Sequence, residues 1–173
     1  SWRRSRSAQL TSFTRETALA TDLSAAAQAA ERWLLHSGIQ RTDPVHGTPG
    51  GVHAWFDRPK GTHAFLYSEI TGHAITSLVH LHSRHPDPTY LERAELAADW
   101  LIQEALDPSG AVLCRQHDTG WDRTLYAFDA GMCMNGLVNL YKHTAEPRHL
   151  AAAQAIGDWL TGSMQRADGG VFP

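Results

Sequence analysis

The chain has 173 residues, of which 42% are hydrophobic and 19% charged, and its formal net charge is −3. This length and apolar content suffice for a hydrophobic core, and the charge excess is too small for a disordered chain. Apart from the arginines of WRRSR at residues 2–6, no basic cluster is present, and no apolar run reaches the roughly 20 residues of a membrane span. We therefore expect neither nucleic acid nor a membrane as a partner.

The N-terminal residues and the cysteines bear on the cellular compartment. The residues after Arg3 and Arg4 are too polar for the core of a secretion signal. Cys114 and Cys133 lack the spacing of a metal site and fit a reduced compartment better than a disulfide framework. A cytoplasmic location is predicted.

The first third of the chain has the weakest helical signals. Residues 8–20 are a candidate for a first inner helix, and AAERWLLHSG at residues 29–38 is a degraded copy of helical segments that recur later. GGVHAWFDRPKGTHAF at residues 50–65 then predicts a polar loop rich in aromatic residues.

Two helical hairpins follow this loop. Ile70, Ala74 and Leu78 recur at helical spacing, which predicts a helix over Tyr67–Arg84 that ends before Pro86. An amphipathic second helix is predicted over Leu91–Ala105.

The second hairpin repeats this order after the loop QHDTGWDR. Its helices are predicted over Leu125–His143 and Leu150–Met164. Residues 125–141 are apolar nearly all round, which is typical of a helix buried on several sides. The helices over Tyr67–Arg84 and Leu125–His143 are therefore expected to form an inner layer, and the other two an outer layer.

The two hairpins are copies of one repeat unit. An offset of 59 residues gives 13 identities in the 46 positions of residues 67–112, against a chance expectation of roughly one in sixteen. Four pairs separated by 59 mark the unit: Tyr67 and Tyr126, Gly72 and Gly131, Leu91 and Leu150, Trp100 and Trp159. The glycine pair predicts close approach of helices, and the recurring Trp33, Trp100 and Trp159 predict core packing.

These motifs resemble those of α/α-toroid proteins, which include the six-hairpin glycosidases, the sugar epimerases and, more distantly, terpene cyclases and prenyltransferases. The shared features are an outer A-x-x-W-L helix, the turn Asp168–Gly170, a polar-aromatic loop and an inner helix that opens Y-x-x-x-x-G. WLTGSMQRADGGVF at residues 159–172 is also similar to the aromatic-Gln-Gly repeat of terpene cyclases, although Val171 stands where that repeat prefers Trp.

The resemblance covers about residues 22–173 and implies an all-α fold of serial antiparallel αα-hairpins that form part of an (α/α) toroid. Residues 1–173 are then a single domain of about three hairpins, which is incomplete because the toroids it resembles close with five to seven. We expect an open apolar flank, or an interface above about 1,000 Å² with another chain that completes the toroid.

In such a toroid the inner helices begin at one mouth of a central cavity, and the preceding loops form its rim. The candidate substrate-binding and catalytic residues at the helix starts are Tyr67, Glu69, His73, Tyr126, Asp129 and Met132. The candidate rim residues are His53, Trp55, Asp57, His63, His117, Asp118, Trp121, Asp122 and Arg123. Carboxylates, imidazoles and indoles together are typical of a sugar site.

Glu69 and Asp129 are the candidate catalytic pair. They occupy different repeat positions, since Glu69 is equivalent to Phe128 and Ile70 to Asp129, so the repeat by itself does not require both acids. Carboxyl groups about 6.5–9.5 Å apart serve inverting glycoside hydrolysis. The competing interpretation is that an acid in the first turn only stabilises its helix through the macrodipole.

The histidines have no tight cluster with cysteine. His73 and His80 share a helix face with Glu69, which suits a cavity wall or a proton relay. We expect no metal site and no cofactor. His149 lies close to a predicted turn and is expected to be solvated, as are His82, His85 and His143.

Three classes of function are compatible with these features. The first is an enzyme that acts on a sugar or uronic acid by carboxylate acid–base catalysis, as a hydrolase, lyase or epimerase. The second is a non-catalytic toroid that binds a glycan or a protein. The third is an isoprenoid cyclase or transferase, which would require an Asp-rich motif that is not apparent. The polar rim favours the first class over the third, and the second class stays open because repeat arrays are common scaffolds.

Overall fold

The computed structural model describes residues 22–45 and 47–171. Contacts divide the chain into two units, residues 1–38 and residues 39–173. In the first unit, helix α1 spans residues 22–36 and contains Trp33, whose side chain is 51% exposed. The expectation that Trp33 is a core residue is wrong, and the candidate helix at residues 8–20 lies outside the described residues.

The second unit contains four long helices, as the hydrophobic periodicity predicts. They are α2 (Ser68–Arg84), α3 (Pro88–Trp100), α4 (Ala127–Thr144) and α5 (Pro147–Trp159). Their starts preserve the repeat, since 127 − 68 and 147 − 88 both equal 59. The all-α fold class and the hairpin order are confirmed.

The outer helices begin earlier than the sequence pattern predicts, and their last turns are π-helical. Both α3 and α5 begin with a proline, whose fixed φ suits the first turn, so they start three residues before the predicted Leu91 and Leu150. Asp87 caps α3 by accepting a hydrogen bond from the Thr89 amide at 2.9 Å. Each outer helix then continues into one π-helical turn, Leu101–Ala105 and Leu160–Met164.

Helices α2 and α4 lie side by side and run parallel, with α3 packed on α2 and α5 packed on α4. Near their starts, the Cys133 thiol donates to the carbonyl of Ser68 at 3.1 Å, and near their ends the hydroxyl of Ser83 lies 3.3 Å from Nε2 of His143. This arrangement is the predicted inner layer, and it brings the first turns of both inner helices to the same end.

Close approach of the inner helices depends on Gly72 and Gly136. A Cβ on Gly72 would lie 2.7 Å from the Met132 carbonyl oxygen, and one on Gly136 would lie 2.6 Å from the Gly72 carbonyl oxygen. A Cβ on Gly131 would meet nothing within 4 Å among residues 22–45 and 47–171. The prediction is therefore confirmed for Gly72, and for Gly131 it stays a prediction.

Burial confirms the predicted core packing of two repeated tryptophans and contradicts the predicted exposure of one histidine. Trp100 and Trp159 are 0% and 7% exposed. His149 is 0% exposed, so the expectation that it is solvated is wrong. The first turn of α5 packs its imidazole against α3, where Nε2 lies 3.1 Å from the carboxylate of Glu95, and Nδ1 lies 3.2 Å from the Thr144 hydroxyl.

The loops before the inner helices contain short antiparallel strands, which the sequence pattern did not predict. Strands β1 (Phe56–Asp57) and β2 (Thr62–His63) form a hairpin. Strand β3 (Leu66–Tyr67) pairs with β4 (Arg115–His117), which pairs with β5 (Gly120–Asp122). These strands fix residues from two successive loops beside the start of α2.

Equivalent positions differ in exposure between the two hairpins. Val112 is 2% exposed, whereas its equivalent Val171 is 56% exposed. A Cβ on Gly110 would lie 2.3 Å from the Ala155 carbonyl oxygen, whereas one on Gly169 would meet nothing within 4 Å among the described residues. Completion of this flank by another hairpin or another chain remains a prediction.

Candidate functional site

A cavity of about 640 Å³ opens where the two inner helices begin, and we call it the inner-helix cavity. Tyr67 and Tyr126 are the residues that immediately precede α2 and α4, and Glu69 and Asp129 lie in the first turns. All four predicted residues therefore meet in one place. The full lining comprises Tyr67, Glu69, Arg115, Tyr126, Ala127, Phe128, Asp129 and Val171.

Asp129 is the buried acid of this cavity. Its side chain is 3% exposed, and its Oδ2 accepts a hydrogen bond from the Cys114 thiol at 3.2 Å. Burial raises the pKa of the Asp129 carboxyl, and the charge of Glu69 adds to this effect, while hydrogen bonds from Cys114 and Tyr67 oppose it. Burial and the adjacent carboxylate raise the pKa of Cys114 to about 12, so the thiol remains a donor at neutral pH.

Tyr67 interacts with both acids. Burial raises its phenol pKa, followed by hydrogen bonding to Glu69 and by the charge of Asp129. The guanidinium carbon of Arg115 lies 5.5 Å from the Tyr67 ring centroid, because the two residues are directly paired between β3 and β4. Tyr67 thus links the two carboxylates to a positive charge.

Glu69 is the more exposed acid of the pair. Its side chain is 19% exposed, and its carboxylate lies 3.6 Å from Nε2 of His73, one turn further along α2. The first turn of a helix stabilises negative charge there. The cavity therefore holds two carboxyl groups in different surroundings, one buried and one half-buried.

A second cavity of about 680 Å³ lies beside strands β3 and β4, and we call it the strand cavity. It contains three of the predicted rim residues. Its lining comprises Arg41, His53, Ala64, Phe65, Leu66, Gln116, His117, Asp118 and Gly120.

The two cavities are close to each other. Phe65 lines the strand cavity, and its ring centroid lies 6.1 Å from that of Tyr67, which lines the inner-helix cavity. The guanidinium carbon of Arg115 is 5.5 Å from the Phe65 centroid. Phe65, Tyr67 and Arg115 therefore form the boundary between the cavities.

The remaining predicted residues lie around these cavities rather than in their linings. Trp55 packs edge-on against Phe65 at 5.2 Å, and His63 stacks on His53 at 4.9 Å. Trp121 packs its ring at 5.5 Å from that of the buried Trp100, which leaves less of its face for a ligand. Asp57 pairs with Lys60, Asp122 lies 3.7 Å from Arg115, Arg123 is exposed, and the backbone of Met132 lies against Gly72.

Sequence reasoning missed several residues that line or support the cavities, including Phe65 and Gln116 of the strand cavity. Arg115 and Cys114 reach the site because β4 pairs with β3, and such pairing between distant loops leaves no periodic signal. Phe128 lines the inner-helix cavity and is 60% exposed. Its equivalence to Glu69 was visible in the repeat and could have identified it. Arg41 lies outside the repeated helical segments and belongs to no recognised motif.

The raised pKa of Asp129 predicts how stability changes with pH. Because its folded pKa lies above the unfolded value of about 3.9, the native state holds the extra proton, and stability is lost as pH rises through the folded pKa. Asp129→Asn should therefore raise the free energy of unfolding by about 0.5–2 kcal/mol at pH 7 and by less near pH 4. Urea unfolding of both proteins at the two pH values measures this.

Asp87→Asn is the control, because its effect on the free energy of unfolding should have the opposite sign. The hydrogen bond from the Thr89 amide lowers the pKa of Asp87, so its stabilising effect is present at neutral pH and is lost as pH falls through the folded pKa. This variant should be less stable than the parent chain at pH 7, with a smaller difference at low pH. A destabilised Asp129→Asn variant at pH 7 would contradict the expected effect of burial.

Two negative observations apply to residues 22–45 and 47–171. No group of three or more His, Cys, Asp or Glu side chains is placed to hold a metal ion. None of the helices in that part of the chain combines the length and the apolar character needed to cross a membrane.

Comparison with solved structures identifies proteins of the same fold. A sugar epimerase from a ruminal bacterium matches with a TM-score of 0.69 and 14% identity, over 84% of this chain and 38% of that one. Cellobiose 2-epimerase from Bacillus thermoamylovorans matches with a TM-score of 0.64 and 16% identity, over 81% and 36%. A family 76 glycoside hydrolase, a mannosidase from Bacteroides thetaiotaomicron, gives 0.61 and 20%, over 82% and 40%.

These neighbours are α/α-toroid proteins, which confirms the predicted resemblance at the level of fold. The chain spans about two fifths of the length of each. No protein-family model and no curated protein sequence matches the chain.

Proposed function

We propose that this chain carries part or all of the site of a carbohydrate-active enzyme that uses carboxylate acid–base catalysis. The observation that carries the proposal is the meeting of Asp129 and Glu69 in one cavity, where Asp129 is buried and Glu69 is half-buried. Pairs of titratable groups whose surroundings differ in this way divide acid and base roles between them.

The surroundings assign the two roles. Asp129 is the general acid, because burial favours its protonated form and the Cys114 thiol holds its other oxygen in place. Glu69 is the general base, because it lines the cavity at the start of α2 and is less buried than Asp129. Tyr67 lies in contact with both and orients the hydroxyl or ring oxygen on which they act.

The aromatic residues of the cavity suit a sugar ring. Phe128 exposes 60% of its side chain at the cavity wall, and Tyr67 and Tyr126 line the same space. Aromatic faces cover the apolar face of a pyranose, while carboxylates accept hydrogen bonds from its hydroxyls. A volume of about 640 Å³ is in the range of small-molecule sites.

The proteins of similar fold support a carbohydrate-active enzyme in general. Two are named as sugar or cellobiose epimerases and one as a mannosidase. They leave the reaction open between epimerisation, hydrolysis and lyase chemistry.

One incubation series separates these reactions. The chain is mixed in D2O with mannose, cellobiose, mannobiose and a uronate disaccharide, and the products are followed by NMR. Epimerisation gives a new C2 epimer, with deuterium at C2 if a proton is exchanged, hydrolysis gives new reducing ends, and elimination gives an unsaturated uronate. Turnover of any of these sugars supports the proposal. Binding without turnover overturns it in favour of a glycan-binding scaffold, and neither binding nor turnover rejects a carbohydrate function.

A further inference from the structure

The strand cavity contains a cation, Arg41, that forms no ion pair with a carboxylate of the described residues. Nη2 of Arg41 donates to the carbonyl of Thr48 at 2.8 Å, while its buried Nε has no hydrogen-bond partner. The carboxylate of Glu104, which lies in the same region, already accepts a hydrogen bond from the Thr48 hydroxyl at 2.6 Å. Arg41 thus retains donors for a ligand.

Two polar side chains join Arg41 in the lining. Nδ1 of His53 lies 2.5 Å from the Ala64 carbonyl, so Nδ1 carries the hydrogen and Nε2 is left for another group. Oε1 of Gln116 is buried without a partner, and rotation of this amide would present its NH2 group instead. His53 is paired opposite Leu66, and Leu66 opposite Gln116, which places these side chains on one face of the strands.

We propose that the strand cavity binds the anionic group, a carboxylate or a phosphate ester, of an acidic carbohydrate. Arg41 supplies the charge, and His53 and Gln116 supply further donors. Because Phe65 separates this cavity from Tyr67 by a single ring contact of 6.1 Å, one substrate can place its reacting ring in the inner-helix cavity and its anionic group here. The anion site stands on its own geometry, whereas its assignment to a carbohydrate rests on the proposed function.

Asp118 is the one carboxylate in the lining, and it does not fill the role of the anion. It lies exposed in the turn between β4 and β5, and its charge acts less strongly on His53 than that of Arg41 does. The other groups near His53 are the stacked ring of His63 and the side chain of His117, which lines the same cavity. Histidine is neutral or positively charged, so neither His63 nor His117 takes the place of an anionic ligand.

The proposal predicts that binding takes up a proton. Burial lowers the pKa of His53, and the charges of His63 and Arg41 lower it further, against the opposing effects of the Ala64 carbonyl and Asp118. The free imidazole is therefore neutral at pH 7, and an anion beside it favours the protonated form. Affinity for a sugar carboxylate, which stays ionised throughout this range, should rise as pH falls from 8 to 6.

Calorimetry with glucose, glucuronate and glucose 6-phosphate tests this inference. At pH 7 we expect at least one of the acidic sugars to bind about tenfold or more tightly than glucose. Arg41→Gln should remove that preference and leave the affinity for glucose unchanged. His53→Gln should abolish the proton uptake that accompanies glucuronate binding, which is measured by repeating the titration in buffers of different ionisation enthalpy.

Arg84→Gln is the matched control, because Arg84 is an exposed arginine at the far end of α2. It should bind the acidic sugars like the parent chain. Equal affinities for glucose and both acidic sugars would overturn the proposal, and so would an equal loss in the two arginine variants, which would indicate non-specific charge attraction. The calorimetry does not require turnover. Tight binding of an acidic sugar without turnover of any sugar would reject the proposed enzyme and retain the anion site. Turnover of a sugar without tighter binding of the acidic sugars would reject the anion site alone.

Discussion

Asp129→Asn and Glu69→Gln should each lower turnover of the carbohydrate substrate at least 100-fold while the chain remains folded. Each amide keeps the shape of the carboxyl group and removes its ability to transfer a proton, and general acid–base catalysis contributes roughly 10²–10⁴-fold to rate. The two variants should differ in pH dependence, because Asp129→Asn removes the group that must be protonated and Glu69→Gln the group that must be ionised. Steady-state rates between pH 5 and 9 measure both effects.

Glu92→Gln is the control for these variants. Glu92 is an exposed carboxylate in the first half of α3, outside both cavities. It should retain the parent turnover. If Asp129→Asn and Glu69→Gln lost stability and activity in the same proportion, the two acids would only stabilise the starts of their helices, and the enzyme proposal would fail.

Gly72→Ala should destabilise the chain by about 2 kcal/mol or more, whereas Gly131→Ala should not destabilise it. The added methyl at residue 72 would lie 2.7 Å from the carbonyl carbon and oxygen of Met132 and 2.8 Å from the Cα of Cys133, so the inner helices must separate. At residue 131 the methyl meets nothing within 4 Å in the described part of the chain, and alanine is favoured over glycine in a helix by about 0.5–1 kcal/mol. Urea unfolding of the 173-residue chain measures the difference.

Gly136→Ala extends this comparison. Its methyl would lie 2.6 Å from the Gly72 carbonyl oxygen, so it should resemble Gly72→Ala. Gly131 is equivalent to Gly72 in the repeat, which makes the pair a matched test of position rather than residue type. Equal destabilisation by Gly72→Ala and Gly131→Ala would show that another segment or another copy already packs on Gly131, as the open-flank prediction allows.

The four helices of the second unit and their layering were predictable because they depend on local periodicity and on a repeat. A period of 3.6 residues identifies a helix, and an offset of 59 residues identifies equivalent positions such as Trp100 and Trp159. The meeting of Glu69 and Asp129 was predictable for the same reason, since parallel inner helices place their first turns at one end.

Tertiary structure alone decided which residues surround those two acids. Strand pairing between loops separated by about 50 residues brings Arg115 to the inner-helix cavity and Cys114 to Asp129, and two-residue strands are too short to show a period. The surroundings of Gly131 and the burial of His149 could not be predicted from the sequence either. Whether a helix contacts a glycine or buries an imidazole depends on which helix packs against that residue, and the local sequence does not specify that helix.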